Sequence, residues 1–368
     1  MVKAPDRIQT WQMTRPWTKD EDTGKSIEGE LRLTEIPVPQ LQPTDVLVEI
    51  AGCGVCHTDL GYFYGGVPTV TKPPLTLGHE ISGIVAAGDN RLIDKKVIVP
   101  AVMPCRNCPI CSAGRGNRCL SQKMPGNSLG AYGGFSSHIP VPSADLCIVD
   151  DCADYQLPEL AVIADAVTTP YQACVRAGLK RGDNVIVVGI GGVGSYVVQM
   201  AKAFGAKTVV GIDIIPEKLE RALQNGADFV INSKGKDAKT VRGEFQEICR
   251  VNNLPSKYGW TVFEVTGVAP GQEIALNLLS FIGKLIIIGF GTQKNEYSIS
   301  RLMAFDAEIK GSWGCLPEYY PKVLQLVLNK TIKIRPFTET RPMGEIKEVF
   351  EEAHTGKLMK RVVLTPDF

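Results

Sequence analysis

The chain has 368 residues, 44% of them apolar and 21% charged, enough for two cored domains and outside the composition of a disordered or fibrous protein. A formal net charge of +1 provides no basic excess for nucleic-acid binding. No run approaches the roughly 20 apolar residues of a membrane span, and the opening "MVKAPDRIQTWQM" lacks the apolar core of a signal peptide; a cytoplasmic protein that binds neither membrane nor nucleic acid is expected, its thiols reduced.

Residues 1–160 are rich in proline, glycine and short β-type runs. "DVLVEIAGCG" and "KKVIVPAVMP" read as strands bounded by turn residues. Between them, "AGCGVCHTDLGYFYGG" sets Cys56 beside His57, followed by Thr58. A thiol next to an imidazole fits either a nucleophile with its base or a metal ligand with an unrelated neighbour. "PLTLGHEISG" then supplies His79 and Glu80, and "VIADAVTTPY" supplies Asp165. Thiolate, imidazole and carboxylate form a set that zinc accepts while keeping a position for water or substrate. The segments are too far apart for spacing alone to decide between ligands and ordinary core or capping groups.

"PCRNCPICSAGRGNRC" is more specific. Cys105, Cys108 and Cys111 are separated by two residues each, and Cys119 follows a Gly/Arg-rich loop. Four such thiols can enclose one tetrahedral ion, with zinc favoured and iron–sulfur the nearest rival. A closed site of this kind is structural, contributing on the order of 10 kcal/mol to a loop with little core of its own. The remaining six cysteines, Cys53 and Cys147 among them, read as small apolar core groups, and His138 and His354 as structural.

From about residue 166 the texture changes. "NVIVVGIGGVGSYVVQMAKAFGA" is a buried strand, a glycine turn and a helix; "KTVVGIDIIPEKLERALQNGADFVINS", "GWTVFEVTG", "PGQEIALNLLSFIG" and "KLIIIGFG" continue the alternation. The expected fold class is α/β: a doubly wound parallel sheet of Rossmann type over 166–305, beside a mainly β domain built from 1–165 and, discontinuously, 306–368, with the cysteine lobe near 104–120. Gly189, Gly191 and Gly194 have GxGxxG spacing, follow a strand and open a helix, and Asp213 comes about twenty residues later. The loop from Gly189 to Gly194, Gly192 and Val193 included, would place its backbone against a dinucleotide pyrophosphate at the helix N-terminus. Asp213 would accept from the adenosine ribose and repel a 2′-phosphate, with Ile214 and Ile215 offering no compensating cation, so NAD is expected over NADP.

"GCGVCHTD", then "GHE", the four-cysteine lobe and the GxGxxG turn occur in an order that resembles the zinc-containing alcohol dehydrogenases of the medium-chain dehydrogenase/reductase family, over essentially the whole chain. The resemblance implies a GroES-like β domain and two zinc ions per chain. The catalytic one would be held by Cys56, His79 and Asp165, the structural one by the four cysteines. Glu80 would lie beside the catalytic ion as an exchangeable ligand. Cys56 and Asp165 already neutralise a divalent ion, so coordination by Glu80 as well is expected to be transient. His57 would donate toward the cofactor pyrophosphate, Lys218 would touch the ribose, and the Thr58 hydroxyl would relay the proton of the substrate alcohol. In many relatives a histidine three residues further on completes that relay, and here Gly61 stands in its place. The resemblance also implies a homo-oligomer, a dimer or tetramer.

"GYFYGGVPTVTKPPLTLGHE" and "SQKMPGNSLGAYGGFSSH" resemble in particular the 6-hydroxycyclohex-1-ene-1-carbonyl-CoA dehydrogenases of anaerobic aromatic degradation. The implied substrate is a secondary allylic alcohol carrying a CoA thioester, oxidised to a conjugated ketone, with addition of water to that enone as an extension. Lys72, Arg115, Arg118 and Lys123 are the cations that could meet CoA phosphates. The alternatives are oxidation of a free secondary alcohol or polyol and, in another class, a non-catalytic binding protein on the same scaffold.

Overall fold

The computed structural model describes residues 5–20 and 23–368. The chain divides into two compact units, one comprising residues 1–168, 314–328 and 334–368, the other 169–313 and 329–333.

The first unit is built on a seven-stranded, mostly antiparallel sheet. Its central strand, Asp45–Gly54, pairs with Glu80–Ala87, His138–Pro142 and Arg361–Thr365. Alternation along "DVLVEIAGCG" sends Val46, Val48 and Ile50 into an apolar cluster with Leu77, Phe135 and Phe350. Two registers determine the chemistry of this unit. Gly54 faces Glu80 and Cys53 faces Ile81, while Val363 faces Gly54. The chain therefore leaves the central strand into Cys56 where the neighbouring strand begins at Glu80, one residue after His79. The segment Leu157–Ala164, buried except at Pro158 and Glu159, packs on the same strands. Ser82 Oγ donates to Leu157 O at 2.8 Å, and a Cβ on Gly52 would meet Pro158 Cα at 2.9 Å. That segment ends at Asp165.

The second unit is a six-stranded, wholly parallel sheet. In spatial order its strands are Phe229–Asn232, Thr208–Asp213, Asn184–Val188, Trp260–Glu264, Lys284–Ile287 and Glu308–Gly311. Numbered by chain position this is 3-2-1-4-5-6, the doubly wound order in which ligands bind beyond the strand C-termini where the order reverses. Helices Gly194–Ala203, Pro216–Gln224, Ala238–Val251 and Ala269–Leu278 connect the strands. Val185, Ile186 and Val187 are wholly buried, as expected of a strand covered on both faces. Glu308–Gly311 joins this sheet, pairing with Lys284–Ile287, so the second unit continues past residue 305 to residue 313.

Among the described residues no helix is long and apolar enough to cross a membrane.

Candidate metal centres and cofactor loop

Cys56, His79, Glu80 and Asp165 each bring a ligand atom to one point in the first unit, all within 4.8 Å of one another. Cys56 Sγ is 3.8 Å from Asp165 Oδ2, and His79 Nε2 is 3.5 Å from the same oxygen. Around a tetrahedral zinc, with Zn–S of about 2.3 Å and Zn–N or Zn–O of about 2.0–2.2 Å, ligand atoms stand about 3.3–3.8 Å apart. The separations fit a single ion, and a thiolate–imidazole–carboxylate set selects zinc over the oxygen-seeking Mg²⁺ and Ca²⁺.

Two residues that the sequence reading left without a role hold this cluster. Asp59, wholly buried, accepts from Cys56 N at 3.0 Å through one carboxylate oxygen and from Gly78 N at 3.0 Å through the other. His79 Nδ1 stands 3.4 Å from Asp59 Oδ1, within ion-pair distance although outside hydrogen-bond geometry. Asp59 thus ties the Cys56 and His79 segments together and presents a carboxylate behind the imidazole, the arrangement that orients a metal-binding histidine. Arg361, 9% exposed, donates through Nη1 to Glu80 Oε1 at 2.7 Å and to Val55 O at 3.2 Å. Glu80 Oε2 is buried without a hydrogen-bond partner, and a Cβ on Gly54 would drive into it. A buried carboxylate oxygen left unsatisfied among metal-ligand side chains is what a cation would complete.

The electrostatics agree. Burial pushes the Glu80 carboxyl up to about 7, against the pull of Arg361. Burial disfavours a charged His79, yet the Asp59 and Asp165 carboxylates outweigh it and raise that imidazole well above its usual range. Three carboxylates and a thiol around one histidine concentrate negative potential where the ion would sit.

Thr58 Oγ1 lies 3.7 Å from Cys56 Sγ, at the start of the short helix His57–Phe63, while His57 beside it is exposed. Gly61 is in the same helix. A Cβ there would meet only Val67 Cγ2, at an ordinary 3.6 Å, so nothing steric forbids a side chain at the position.

Cys105, Cys108, Cys111 and Cys119 form the second cluster, again with all sulfurs within 4.8 Å. Cys108 Sγ is 3.5 Å from Cys111 Sγ and 3.9 Å from Cys119 Sγ. This is the edge length of a tetrahedral tetrathiolate around one ion, and it leaves no room for a cluster of several irons. Backbone amides point at the sulfurs: Cys105 N and Ser121 N each lie 3.2 Å from Cys119 Sγ. The amides of Leu120 and Cys111 pull the Cys108 thiol down to about 6, whereas desolvation and the adjoining sulfurs push Cys111 up to about 12. Only a cation lets all four ionise together. The other six cysteines, Cys53, Cys147, Cys152, Cys174, Cys249 and Cys315, are all buried.

In the second unit, Gly189 has φ +95°, and a Cβ there would meet Thr266 Cγ2 at 2.6 Å. A Cβ on Gly194 would drive into Gly189 O, while Gly191 faces open space and Gly192 is exposed. Gly191, Gly192 and Val193 thus offer backbone to a ligand, and Gly194 closes the helix onto the turn. Asp213 ends its strand and accepts from Ile190 N at 2.7 Å, Ile214 N at 2.8 Å and Ile215 N at 3.0 Å. Its carboxylate clamps the glycine loop from behind. Lys218 is half-exposed on Pro216–Gln224.

Residues 42–151 match the alcohol dehydrogenase GroES-like domain and residues 192–329 match the zinc-binding dehydrogenase domain. An alcohol dehydrogenase of Geobacillus stearothermophilus is 32% identical over 343 residues, covering 92% of this chain and 96% of its own. The chain belongs to the zinc-binding medium-chain alcohol dehydrogenases. A sorbitol dehydrogenase of Bombyx mori is 27% identical over 354 residues, covering 91% of this chain and 95% of its own. The structure of acetophenone reductase from Geotrichum candidum in complex with NAD superposes with a TM-score of 0.81 at 26% identity, over 99% of this chain and 98% of that one. As a member of this family the protein is an oxidoreductase acting on CH–OH groups with zinc and a nicotinamide dinucleotide.

Two outcomes test the site. Arg361→Met removes the cation that holds the Glu80 carboxyl down, so Glu80 takes a proton near neutral pH and the buried charge is felt only as pH rises. Urea unfolding of the metal-free variant should show a loss that grows above neutrality toward about 3–5 kcal/mol, and Glu80→Gln in the same chain should remove that pH dependence. Gly194→Ala should abolish dinucleotide binding, read by quenching of protein fluorescence, while elemental analysis still finds two zinc ions per chain.

Proposed function

We propose that the protein oxidises a secondary, alicyclic, allylic alcohol carrying a CoA thioester, 6-hydroxycyclohex-1-ene-1-carbonyl-CoA or a close analogue, to the conjugated ketone with NAD as acceptor. The observation that carries the dehydrogenase part is the convergence of Cys56, His79, Glu80 and Asp165 with Thr58 Oγ1 alongside. The substrate part rests on the stretches from Gly61 to Glu80 and from Ser121 to His138. Lys72, Arg118 and Lys123 are exposed there or nearby, and Arg115 is half-buried. NAD is favoured because the Asp213 carboxylate would repel a 2′-phosphate.

Zinc, when bound, supplies the Lewis acidity that makes an alcohol hydroxyl acidic near neutral pH, and NAD accepts the hydride. The protein's part is to hold ligands, orient them and move a proton. Cys56, His79 and Asp165 are the ligands we assign, with Glu80 held back by Arg361 as an exchangeable fourth. Thr58 Oγ1 takes the substrate's hydroxyl proton on its lone pair and passes its own onward. With no side chain at Gly61 to receive it, the proton leaves to water. His57 and Lys218 are assigned to the dinucleotide.

A second reading, oxidation of a free secondary alcohol or polyol, is favoured by the sorbitol dehydrogenases among the relatives, which are 26–28% identical to this chain over nearly its whole length. Because the ketone product keeps an activated ring double bond, we extend the first reading to addition of water across that bond in the same site. The exposed edge of the parallel sheet at Glu308–Gly311, with Ile309 at its surface, supports a homo-oligomer.

Thr58→Ala should lower kcat about 10²-fold, the scale of a lost proton relay, with zinc content unchanged; an unaltered kcat removes Thr58 from the mechanism. NADH formation compared across alicyclic CoA alcohols, sorbitol and simple secondary alcohols should be fastest with the CoA thioester, and a preference for the free polyol establishes the second reading. Incubation of the enone product with enzyme should yield a species heavier by one water; its absence excludes the hydration step.

A further inference from the structure

We propose that Tyr320 is a positioning residue for Asp165, and that it couples this ligand to the four-cysteine lobe. The proposal rests on the assignment of Cys56, His79 and Asp165 as the catalytic ligand set. Tyr320 opens the helix Tyr320–Leu328 and is 1% exposed. Its hydroxyl donates to Ala164 O at 2.5 Å and accepts from Ala101 N at 3.1 Å. Ala164 O belongs to the peptide group that joins Ala164 to Asp165. That carbonyl ends the tight helical segment Leu157–Ala164, where a helix has no further turn to satisfy it. Tyr320 and Thr168, whose Oγ1 donates to the same oxygen at 3.2 Å, supply the missing donors. Asp165 then leaves the segment at φ −141°, ψ −58°, which turns its carboxylate toward His79 and Cys56.

The other side of Tyr320 reaches the lobe. Ala101 lies just beyond the strand Lys96–Val99 and four residues before Cys105. The chain leading into Tyr320 packs on the lobe at both of its ends. A Cβ on Gly314 would lie 3.3 Å from Val102 Cγ2, and a Cβ on Gly116 would lie 3.6 Å from Leu316 Cδ2. One buried hydroxyl thus joins the backbone entering the cysteine lobe to the backbone carrying a ligand of the other centre. In a dry interior each of its two hydrogen bonds is costly to leave unmade, so the two backbones are held in a fixed relation. Loss of an outer-shell partner of a metal ligand costs about 10–100-fold in metal affinity.

The test is Tyr320→Phe, which keeps the ring and removes the hydroxyl, loaded with cobalt(II) at both centres. Cobalt held by four thiolates and cobalt held by one differ in the intensity of their sulfur-to-metal absorption, so each centre is read separately during titration with a chelator. The expected result is an affinity about tenfold or more lower at the centre containing Asp165, with an altered absorption there, and an unchanged four-cysteine centre. Wild-type affinity and spectrum at the Asp165 centre overturn the proposal, as does equal weakening of both centres, which would mean a general loss of stability. Wild-type protein that takes up cobalt at the four cysteines alone overturns the ligand assignment itself, whereas a normal Asp165 centre in Tyr320→Phe overturns only the role of Tyr320. If the variant does not fold, hydrogen exchange on the wild-type protein decides the matter. Filling the Asp165 centre, with the four-cysteine centre already full, should slow exchange of the Ala101 amide severalfold, and no change there overturns the coupling.

Discussion

The pairing of Asp45–Gly54 with Glu80–Ala87 is the constraint on which the metal chemistry depends. By setting Gly54 opposite Glu80 it brings the exit of one strand beside the entry of the next, and Cys56 and His79 are the residues at those two points. A slip of one residue would turn every side chain of the strand to the other face and separate thiol from imidazole. Gly54 makes the register usable, since any side chain there would occupy the space of the Glu80 carboxylate. The third strand, Arg361–Thr365, arrives from the far end of the sequence and places its first residue against the same carboxylate. The ligands come from three separate stretches, and two of these, at Cys56 and at His79–Glu80, are thereby set side by side by backbone hydrogen bonds of a single sheet.

Charge is balanced at the same place. With Cys56, Asp165 and Glu80 all ionised around a zinc ion, the negative charge would exceed what one divalent ion neutralises, and the buried Arg361 guanidinium, bonded to Glu80, would take up the excess. In the centre proposed above, the arrangement would keep Glu80 near the ion without committing it to coordination and so preserve the electrophilic strength of the metal. Asp59 serves the imidazole in the corresponding way, holding it from behind while receiving two backbone amides.

Much of this was legible in the sequence, for a physical reason. Glycine turns and cysteine spacing are local signals, so the four cysteines and the Gly189–Gly194 loop could be named from the residues themselves, whereas Cys56, His79, Glu80 and Asp165 were named as a set through the family resemblance. The alternation of strands and helices also implied the parallel sheet. What escaped was what depends on pairing across long separations. Arg361 sits in "KRVVLT", a basic residue opening an apolar run, and only the register with residues 53 and 54 reveals that it is buried against Glu80. Asp59 lies within the motif itself, but its role depends on the approach of Gly78. Tyr320 gave no signal, because a helix-opening tyrosine reads as ordinary packing. Residues 306–313 were expected in the β domain, and only the pairing of Glu308–Gly311 with Lys284–Ile287 puts them at the edge of the parallel sheet instead.

The two clusters differ in how many sulfurs they contain. The Asp165 centre has one, Cys56, whereas Cys108 and Cys111 stand 3.5 Å apart in the other. Oxidation can join neighbouring sulfurs within the lobe and eject its ion, but among Cys56, His79, Glu80 and Asp165 there is no second sulfur to join. Exposure to air thus has a disulfide route open to it at the scaffold that is closed at the other centre, where only oxidation of a lone sulfur remains.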